Sequence, residues 1–417
     1  MSDEPQLVVE PSALVDDVVS VRLEGYLPGE PVVLDFKTHD EAGNAWVSQA
    51  IFDADEGGAV DASRNASTNG TWKGIEPMGF IWSMTSPTGV ATQRYQQSEL
   101  TPATVTIEAT QAGRLVAEAS HERIFVAPGV ARTDVRDEGL VATLYEPGET
   151  TGAAVLVIGG SAGGLENARA AALANRGHPA LSLAYFGVDP LPNALVGIPL
   201  EYFETAIRWM VDRGIAEEGR LALMGTSRGG ELVLLLASRR PEIGAIVAYV
   251  PSGLVHGGIQ GPDGDPTVRP PAWTHGGEPL HGAPMAFDEI DFSSQPVRFV
   301  TGFLGGLRDD AAVAAAKIPL ENIRCPVVMF SGRDDQLWPS PVLTKIAEEG
   351  LTEAAAVEHI AYEDAGHNIG HPDLPSTMHS LVHPLNGIEI DLGGTHSGDA
   401  HAREDSWRRA LNLLGRI

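Results

Sequence analysis

Leu221-Ala222-Leu223-Met224-Gly225-Thr226-Ser227-Arg228-Gly229-Gly230-Glu231 is the stretch on which the fold reading turns. An apolar run leads into Gly-Thr-Ser-Arg-Gly, and a helix-forming run over residues 231–238 follows it. G-x-S-x-G between a strand and a helix is the setting of a nucleophile elbow, a turn so tight that small residues must flank the serine. Such a turn lifts the Ser227 hydroxyl above the sheet. It also puts the next backbone N–H, that of Arg228, at a helix N-terminus where negative charge is stabilised.

Downstream, the residue types follow in the order serine, acid, histidine. Residues 327–332 read as a compact strand that runs into Gly332-Arg333-Asp334-Asp335-Gln336-Leu337-Trp338-Pro339. A doubly wound sheet gathers its chemistry at the C-terminal ends of its strands. Asp335, three residues after Gly332 and four before Pro339, is the favoured acid. Asp334 is expected to cap the following helix or turn. Residues 357–362 read as the last short strand, with Gly366-His367 after it, and a histidine there suits a mobile general base. Ser227, Asp335 and His367 together make a triad in which the acid accepts the imidazole N–H and holds its tautomer.

Upstream, residues 153–158 are continuously apolar, as a buried parallel strand should be, and Gly159-Gly160-Ser161-Ala162-Gly163-Gly164 follows. The Gly-Lys-Ser/Thr of a phosphate-binding loop is absent, and the dinucleotide fingerprint fails in register. The loop fits an oxyanion hole better, with the backbone N–H of Ser161 or Ala162 as the second donor beside Arg228.

With 417 residues the chain exceeds one ordinary core, so two domains are expected. A net charge of −28 argues against a nucleic-acid partner, which would need a basic stripe. It also means that any anionic substrate needs a local arginine cluster against the global field. No apolar run approaches a membrane span, and the acidic start of the chain lacks the features of a signal peptide, so a cytoplasmic location is expected. The single cysteine, Cys325, rules out an internal disulfide and suggests a structural role. His367, His371, His379 and His383 do not make a convincing metal site, because Pro372 and Pro375 break any shared helix face and no Cys or paired acid completes a set. No metal and no cofactor is expected.

Short alternating runs at 18–23, 31–37, 45–50, 93–97, 104–110 and 114–119 suggest a small antiparallel sandwich before a boundary near Ala127-Pro128-Gly129. After it, strands and helices alternate: 177–186, 219–224 and 244–251 as strands, 200–213 and 231–240 as helices. That alternation predicts a doubly wound α/β sheet over 129–417. Residues 252–322 lack periodicity and read as an insertion, either a lid over Ser227 or, over 261–268, a plain surface loop. Residues 406–417 read as a terminal amphipathic helix covering the sheet.

Several segments carry a family resemblance. They include Phe52-Asp53-Ala54-Asp55-Glu56-Gly57-Gly58, Gly74-Ile75-Glu76-Pro77-Met78-Gly79-Phe80, the glycine loop from Gly159, the elbow, Trp273-Thr274, Glu278-Pro279-Leu280 and Gly366-His367. The chain resembles the acyl-CoA thioesterase and bile-acid-CoA:amino-acid N-acyltransferase family over nearly its whole length. The resemblance implies an immunoglobulin-like domain over 1–128 and an α/β-hydrolase domain over 129–417. It implies Ser227 as nucleophile, Asp335 as acid and His367 as base. It further implies hydrolysis of an acyl-CoA thioester, since a serine accompanies hydrolysis in that family and a cysteine accompanies amino-acid acyl transfer. Transfer to an amine acceptor, or hydrolysis of another ester, lactone or peptide, is the alternative. The departures from the family's elbow are Arg228, which keeps the charge of the usual lysine, and Gly230, which is expected to loosen the helix entry.

Overall fold

The alternating runs before residue 128 pair as antiparallel strands. Pro31–His39 lies between Ala45–Asp53 and Ala103–Gln111, and Ala103–Gln111 pairs in turn with Arg114–Ile124. Val32, Leu34 and Phe36 are fully buried, as one face of a period-two strand must be when the other meets water. Ser12–Leu14 and Asn69–Gly70 complete this six-stranded sheet, and Gln6–Val9, Val21–Glu24 and Val60–Asp61 form a second sheet of three strands. The unit is an all-β sandwich of immunoglobulin-like type. The computed structural model describes residues 4–90, 92–261, 264–265, 267–370 and 374–417.

One expected strand does not form. Residues 93–97 are irregular, and carboxylates take up the Gln96 amide and those of residues that follow. Asp40 accepts from Gln96 N–H, and Glu41 accepts from the N–H groups of Ser98, Glu99 and Thr101. A backbone satisfied by side chains has no need of a ladder. The acids of the 53–61 segment serve their own turns: Asp55 accepts from Gly57 and Ala59 N–H, and Asp61 from Ser63.

The first compact unit runs to Pro128 and also takes in residues 374–378 of the described chain, a segment that the sequence reading left in the second domain. Within that unit, Ser376 N–H donates to Trp82 O at 2.9 Å and the Thr377 hydroxyl to Met84 O at 2.8 Å.

The second unit is built on eight strands: β1 (Ala131–Val135), β2 (Val141–Glu146), β3 (Ala154–Ile158), β4 (Ala180–Ala184), β5 (Leu221–Thr226), β6 (Ile243–Tyr249), β7 (Val327–Gly332) and β8 (Val357–Tyr362). Their order across the sheet is β1-β2-β4-β3-β5-β6-β7-β8, with β2 antiparallel to both neighbours and β3 to β8 parallel. This is the α/β-hydrolase arrangement. Every residue of β3, β4 and β7 is buried, which is why they read as near-continuous apolar runs, interrupted only by Ser182 in β4 and Ser331 in β7. Cys325 is a buried free thiol, its pKa pushed up to about 11 by desolvation, and it packs in the core beside Val327.

The 252–322 insertion is folded rather than loop-like where it is described. Trp273–His275 pairs with Ile198–Pro199 and Glu278–Pro279, and two short helices, Val300–Gly306 and Asp310–Ala316, follow. Leu254, Phe303 and Ala316 share a buried cluster with Trp338, Leu343 and Ile390. Part of the expected surface loop, residues 262, 263 and 266, lies outside the described residues. The terminal helix is longer than expected, His396–Leu414, and begins with Thr395 accepting from Gly398 N–H. No helix among the described residues is long and apolar enough to cross a membrane.

Candidate active site

β5 ends at Thr226, and the helix Arg228–Ala237 begins immediately after Ser227. Ser227 itself has φ 57° and ψ −115°, a conformation that a residue with a Cβ adopts only under constraint. The constraint is visible. Ser227 N–H donates to Tyr249 O on β6 at 2.8 Å, and Ser227 O accepts from Glu231 N–H at 2.9 Å. The flanking glycines are required by contact. A Cβ at Gly225 would stand 2.2 Å from Gly229 O. At Gly230 it would stand 2.8 Å from Tyr249 O, so this glycine closes the helix onto β6 and does not loosen it, contrary to the sequence expectation.

The downstream residues arrive at the same point. His367 Nε2 is 2.9 Å from Ser227 Oγ, and His367 Nδ1 is 2.8 Å from Asp335 Oδ2. All three side chains are buried. Asp335, not Asp334, faces the histidine. Its other oxygen, Oδ1, accepts from Leu337 and Trp338 N–H at 3.0 and 3.1 Å, so Asp335 also caps the turn assigned from sequence to Asp334. Asp334 is turned to Gln336 and to Gly394 N–H instead.

The histidine loop is braced by hydrogen bonds from three sides. His367 N–H donates to Leu392 O at 2.8 Å, and Gly366 N–H to Asp399 Oδ1 at 2.8 Å. Arg403 Nε donates to Asn368 O at 2.9 Å. Asp399 and Arg403 both project from the terminal helix, whose task is therefore to position His367 as well as to cover the sheet. Burial pushes the pKa of Asp399 up, against the pull of Arg403. The sequence reading missed both residues, although their i, i+4 spacing on a helix was available as a sign of one shared face.

The glycine loop passes directly against Ser227, so that a methyl at Gly160 would stand 3.3 Å from Ser227 Cβ. The Tyr185 hydroxyl lies 3.0 and 3.1 Å from Gly159 O and Gly160 O. In a trans peptide the Ser161 N–H points opposite to Gly160 O, hence away from Tyr185. Ser161 lines the cleft at Ser227, whereas Ala162 is exposed. The cleft is a cavity of about 40 Å³. Its polar wall consists of Ser161, Ser227, Arg228, Arg269, His383 and Asn386, and its apolar wall includes Phe299, Phe303, Leu337 and Trp338. The insertion thus supplies both aromatic and cationic lining.

Of the histidines weighed as metal ligands, His379 Nδ1 is 3.0 Å from Gly393 O and His383 Nε2 is 3.0 Å from Ser161 Oγ. His371 lies outside the described residues. Among the described residues no cluster of three or more His, Cys, Asp or Glu is placed to hold a metal ion.

Behind the elbow lies a charged centre that the sequence did not announce. Glu231, fully buried, accepts from Trp273 Nε1 at 2.7 Å, from His256 N–H at 3.2 Å and from Arg228 Nη2 at 3.3 Å. Arg228 Nε also lies 3.2 Å from Glu231 Oε2, off hydrogen-bond alignment. The remaining Arg228 donors reach Gly257 O at 2.7 Å and His256 O at 2.8 Å. Burial raises the pKa of Glu231, opposed by the Arg228 charge. An acid in the first turn of a helix is ordinarily a solvated partner of the helix dipole, which is how the sequence disguised it.

Two buried histidines give the fold a predictable weakness to acid. Burial, then the Arg269 charge, pushes the His383 pKa down to about 4, and burial with the Arg228 and Arg269 charges holds His256 well below its ordinary value. His383 Nδ1 accepts from Leu385 N–H, so the neutral ring donates from Nε2 to Ser161. Above pH ~6.5 both rings are neutral in the folded and unfolded chains alike, and no penalty arises. Between pH ~6.5 and ~4 the unfolded chain takes up protons that the folded one refuses, so stability falls as pH falls. His383 alone is expected to account for a loss on the order of 3 kcal/mol at full protonation. Thermal melting from pH 7.5 to 4 should show this decline, and His383→Gln should flatten it. An unchanged slope in the variant would remove His383 from the account.

Comparison with known proteins adds the following. The family model described as Acyl-CoA thioester hydrolase/BAAT N-terminal region matches residues 16–137, and the one described as BAAT / Acyl-CoA thioester hydrolase C terminal matches residues 198–416. A protein of Mus musculus named peroxisomal succinyl-coenzyme A thioesterase is 30% identical over 98% of this chain and 96% of its own. Acyl-coenzyme A thioesterase 1 of Rattus norvegicus is 30% identical over 97% of this chain and 95% of its own. Acyl-coenzyme A thioesterase 6 of Homo sapiens is 30% identical over 97% and 94%.

Proposed function

This chain belongs to the acyl-CoA thioester hydrolase/BAAT family, and from that premise we propose that it hydrolyses an acyl-CoA thioester to a free acid and CoA through an acyl-enzyme on Ser227. The observation that carries the proposal is the hydrogen-bonded line Ser227–His367–Asp335, at 2.9 and 2.8 Å, on a strained elbow. His367 Nε2 takes the Ser227 proton as Oγ attacks the thioester carbonyl carbon. Asp335 accepts the Nδ1 proton's hydrogen bond and stabilises the imidazolium that forms. The backbone N–H groups of Arg228 and Ser161 hold the oxyanion, and we prefer Ser161 to Ala162 because it faces the cleft. Collapse breaks the C–S bond, and His367 returns its proton to the thiolate, so CoA leaves as a thiol. A water, deprotonated by His367, then attacks the acyl carbonyl, and Ser227 departs with the proton.

The relatives' names differ in the acyl group and in the compartment, so neither is carried over from them. A cytoplasmic location is our reading from a composition with one cysteine and no disulfide chemistry.

A panel of acyl-CoA thioesters and the matching simple esters, with free-thiol detection and acid quenching, tests the reaction. The expected result is thiol release at turnover, with the transient acyl mass on the Ser227 peptide. Ester cleavage without thioester cleavage would replace thioesterase by another serine hydrolase. Conjugates in place of free acid when glycine or taurine is added would replace hydrolysis by acyl transfer.

A further inference from the structure

Ser161 and Ser227 are the two cleft residues that carry hydroxyls. The glycine loop brings them close: a Cβ at Gly160, the residue before Ser161, would stand 3.9 Å from Ser227 Oγ. Ser161 Oγ is 3.0 Å from His383 Nε2. The direction of that bond is fixed from the far side of the ring, where Leu385 N–H donates to His383 Nδ1 at 3.3 Å. A neutral imidazole that accepts at Nδ1 carries its proton at Nε2. His383 therefore donates, and Ser161 Oγ accepts. Burial and then the Arg269 charge hold the His383 pKa at about 4, so the ring is a neutral donor at neutral pH.

The consequence concerns the Ser161 proton. A hydroxyl has a single hydrogen to donate. With a lone pair turned to His383, Ser161 must aim its O–H elsewhere, and no acceptor among the described residues takes it. The open side of Ser161 is the cleft. A hydroxyl that accepts from an imidazole is polarised by that bond and becomes the stronger donor. The arrangement is held from both ends. His383 N–H donates to Ile388 O at 2.9 Å and His383 O accepts from Gly387 N–H at 2.8 Å, at the end of the hairpin of Ser380–Val382 and Glu389–Asp391. The Tyr185 hydroxyl holds the glycine loop through Gly159 O and Gly160 O. Donors fixed in advance cost no reorganisation when charge develops on a reacting oxygen. The Arg228 side chain does not compete for that task, since Gly257 O, His256 O and Glu231 occupy its guanidinium. In a cavity of about 40 Å³, the oxygen of a carbonyl attacked by Ser227 has few places to lie.

We infer that the Ser161 hydroxyl is a third oxyanion donor, beside the backbone N–H groups of Arg228 and Ser161, and that His383 is the positioning residue that aims it. A serine hydroxyl gauche to its own N–H puts both donors on one side of the residue, so both can reach one oxygen. No proton changes hands: the hydroxyl keeps its hydrogen and shares it with the tetrahedral oxyanion in acylation and again in deacylation. The inference rests on the acyl-enzyme reading above and deepens it.

The test measures thiol release from an acyl-CoA panel in the wild type, Ser161→Ala, His383→Leu and the double variant, below the melting temperature of each. Ser161→Ala should lower kcat on the order of 10²-fold with KM changed by less than about threefold, because the contact is made only in the transition state. A trifluoromethyl ketone with the same acyl chain, which forms a hemiketal oxyanion on the serine, should lose affinity by the factor that kcat/KM loses. Inhibition by the free acid, which forms no oxyanion, should stay within about threefold. His383→Leu should lower kcat in the wild-type background and add nothing to Ser161→Ala, since it acts through that hydroxyl. Ser161→Ala, with its ketone affinity, decides by itself if His383→Leu does not fold. Unchanged kcat and ketone affinity in Ser161→Ala overturn the inference while leaving the thioesterase reading intact. So does a rise in KM at constant kcat, which would make Ser161 an ordinary substrate contact, and so does an effect of His383→Leu that is as large without the hydroxyl as with it. A wild type that releases thiol from none of the CoA esters defeats the thioesterase reading and takes the inference with it.

Discussion

Alanine at position 227 is expected to lower acyl-CoA turnover on the order of 10⁴-fold or more while leaving the fold intact. The reason for the size is that in the proposed mechanism Oγ forms and breaks the covalent bond, and no other hydroxyl stands within hydrogen-bond reach of His367 Nε2 in the described contacts. The reason for the intact fold is that the change removes one atom. The backbone at Ser227, held at φ 57° by its bonds to Tyr249 and Glu231, carries a Cβ in either case. Free-thiol release under saturating substrate measures the first part, and an unchanged melting temperature the second. His367→Ala should cost a similar factor, and the double variant should be no worse than the poorer single one, because the pair acts as a unit. Turnover at the wild-type rate in Ser227→Ala would end the assignment.

Glu231→Ala is expected to destabilise the second unit by about 3–5 kcal/mol, the usual cost of stripping one partner from a buried ion pair. Helix propensity works the other way, since alanine is the better helix former, so the loss belongs to the charges. The variant leaves Arg228 without its carboxylate in a fully enclosed site and frees the Trp273 indole N–H, which now has its acceptor at 2.7 Å. Denaturant midpoints measure the effect. The pairing argument makes a sharper demand: Arg228→Met combined with Glu231→Leu should be less damaging than Glu231→Ala alone, because both charges leave together. A double variant as unstable as the sum of its parts would show that packing, and not charge pairing, carries the site. Any activity lost by Glu231→Ala should follow from displacement of the elbow, since Glu231 N–H is what closes on Ser227 O.

Both predictions concern one helix, yet the sequence disclosed Ser227 and concealed Glu231. Ser227 sits in a local pattern whose meaning depends on five consecutive residues and the strand and helix beside them. Glu231 gets its meaning from Trp273 and His256, dozens of residues away in an insertion without periodicity. The same holds for Asp399, which is 33 positions from the Gly366 amide it holds, and for His383, 222 positions from Ser161. Charged and imidazole side chains read by default as solvated, and only enclosure by distant segments makes them structural. Residues 93–97 failed in the opposite direction: a strand-like composition forms no ladder, with Asp40 taking up the Gln96 amide and Glu41 those just beyond.

By itself, the sequence pointed to the two domain types, the parallel strands, Ser227, His367 and an acid at 334 or 335, because each depends on short-range pattern: apolar runs buried on both faces, a glycine-flanked turn, an acid and a histidine just past strand ends. Tertiary structure alone decided that Asp335 and not Asp334 meets His367, and that Ser161 and not Ala162 lines the cleft. These are choices between adjacent or chemically equivalent residues. They turn on the direction of one side chain or one peptide N–H, and direction is fixed by packing among segments far apart in the chain.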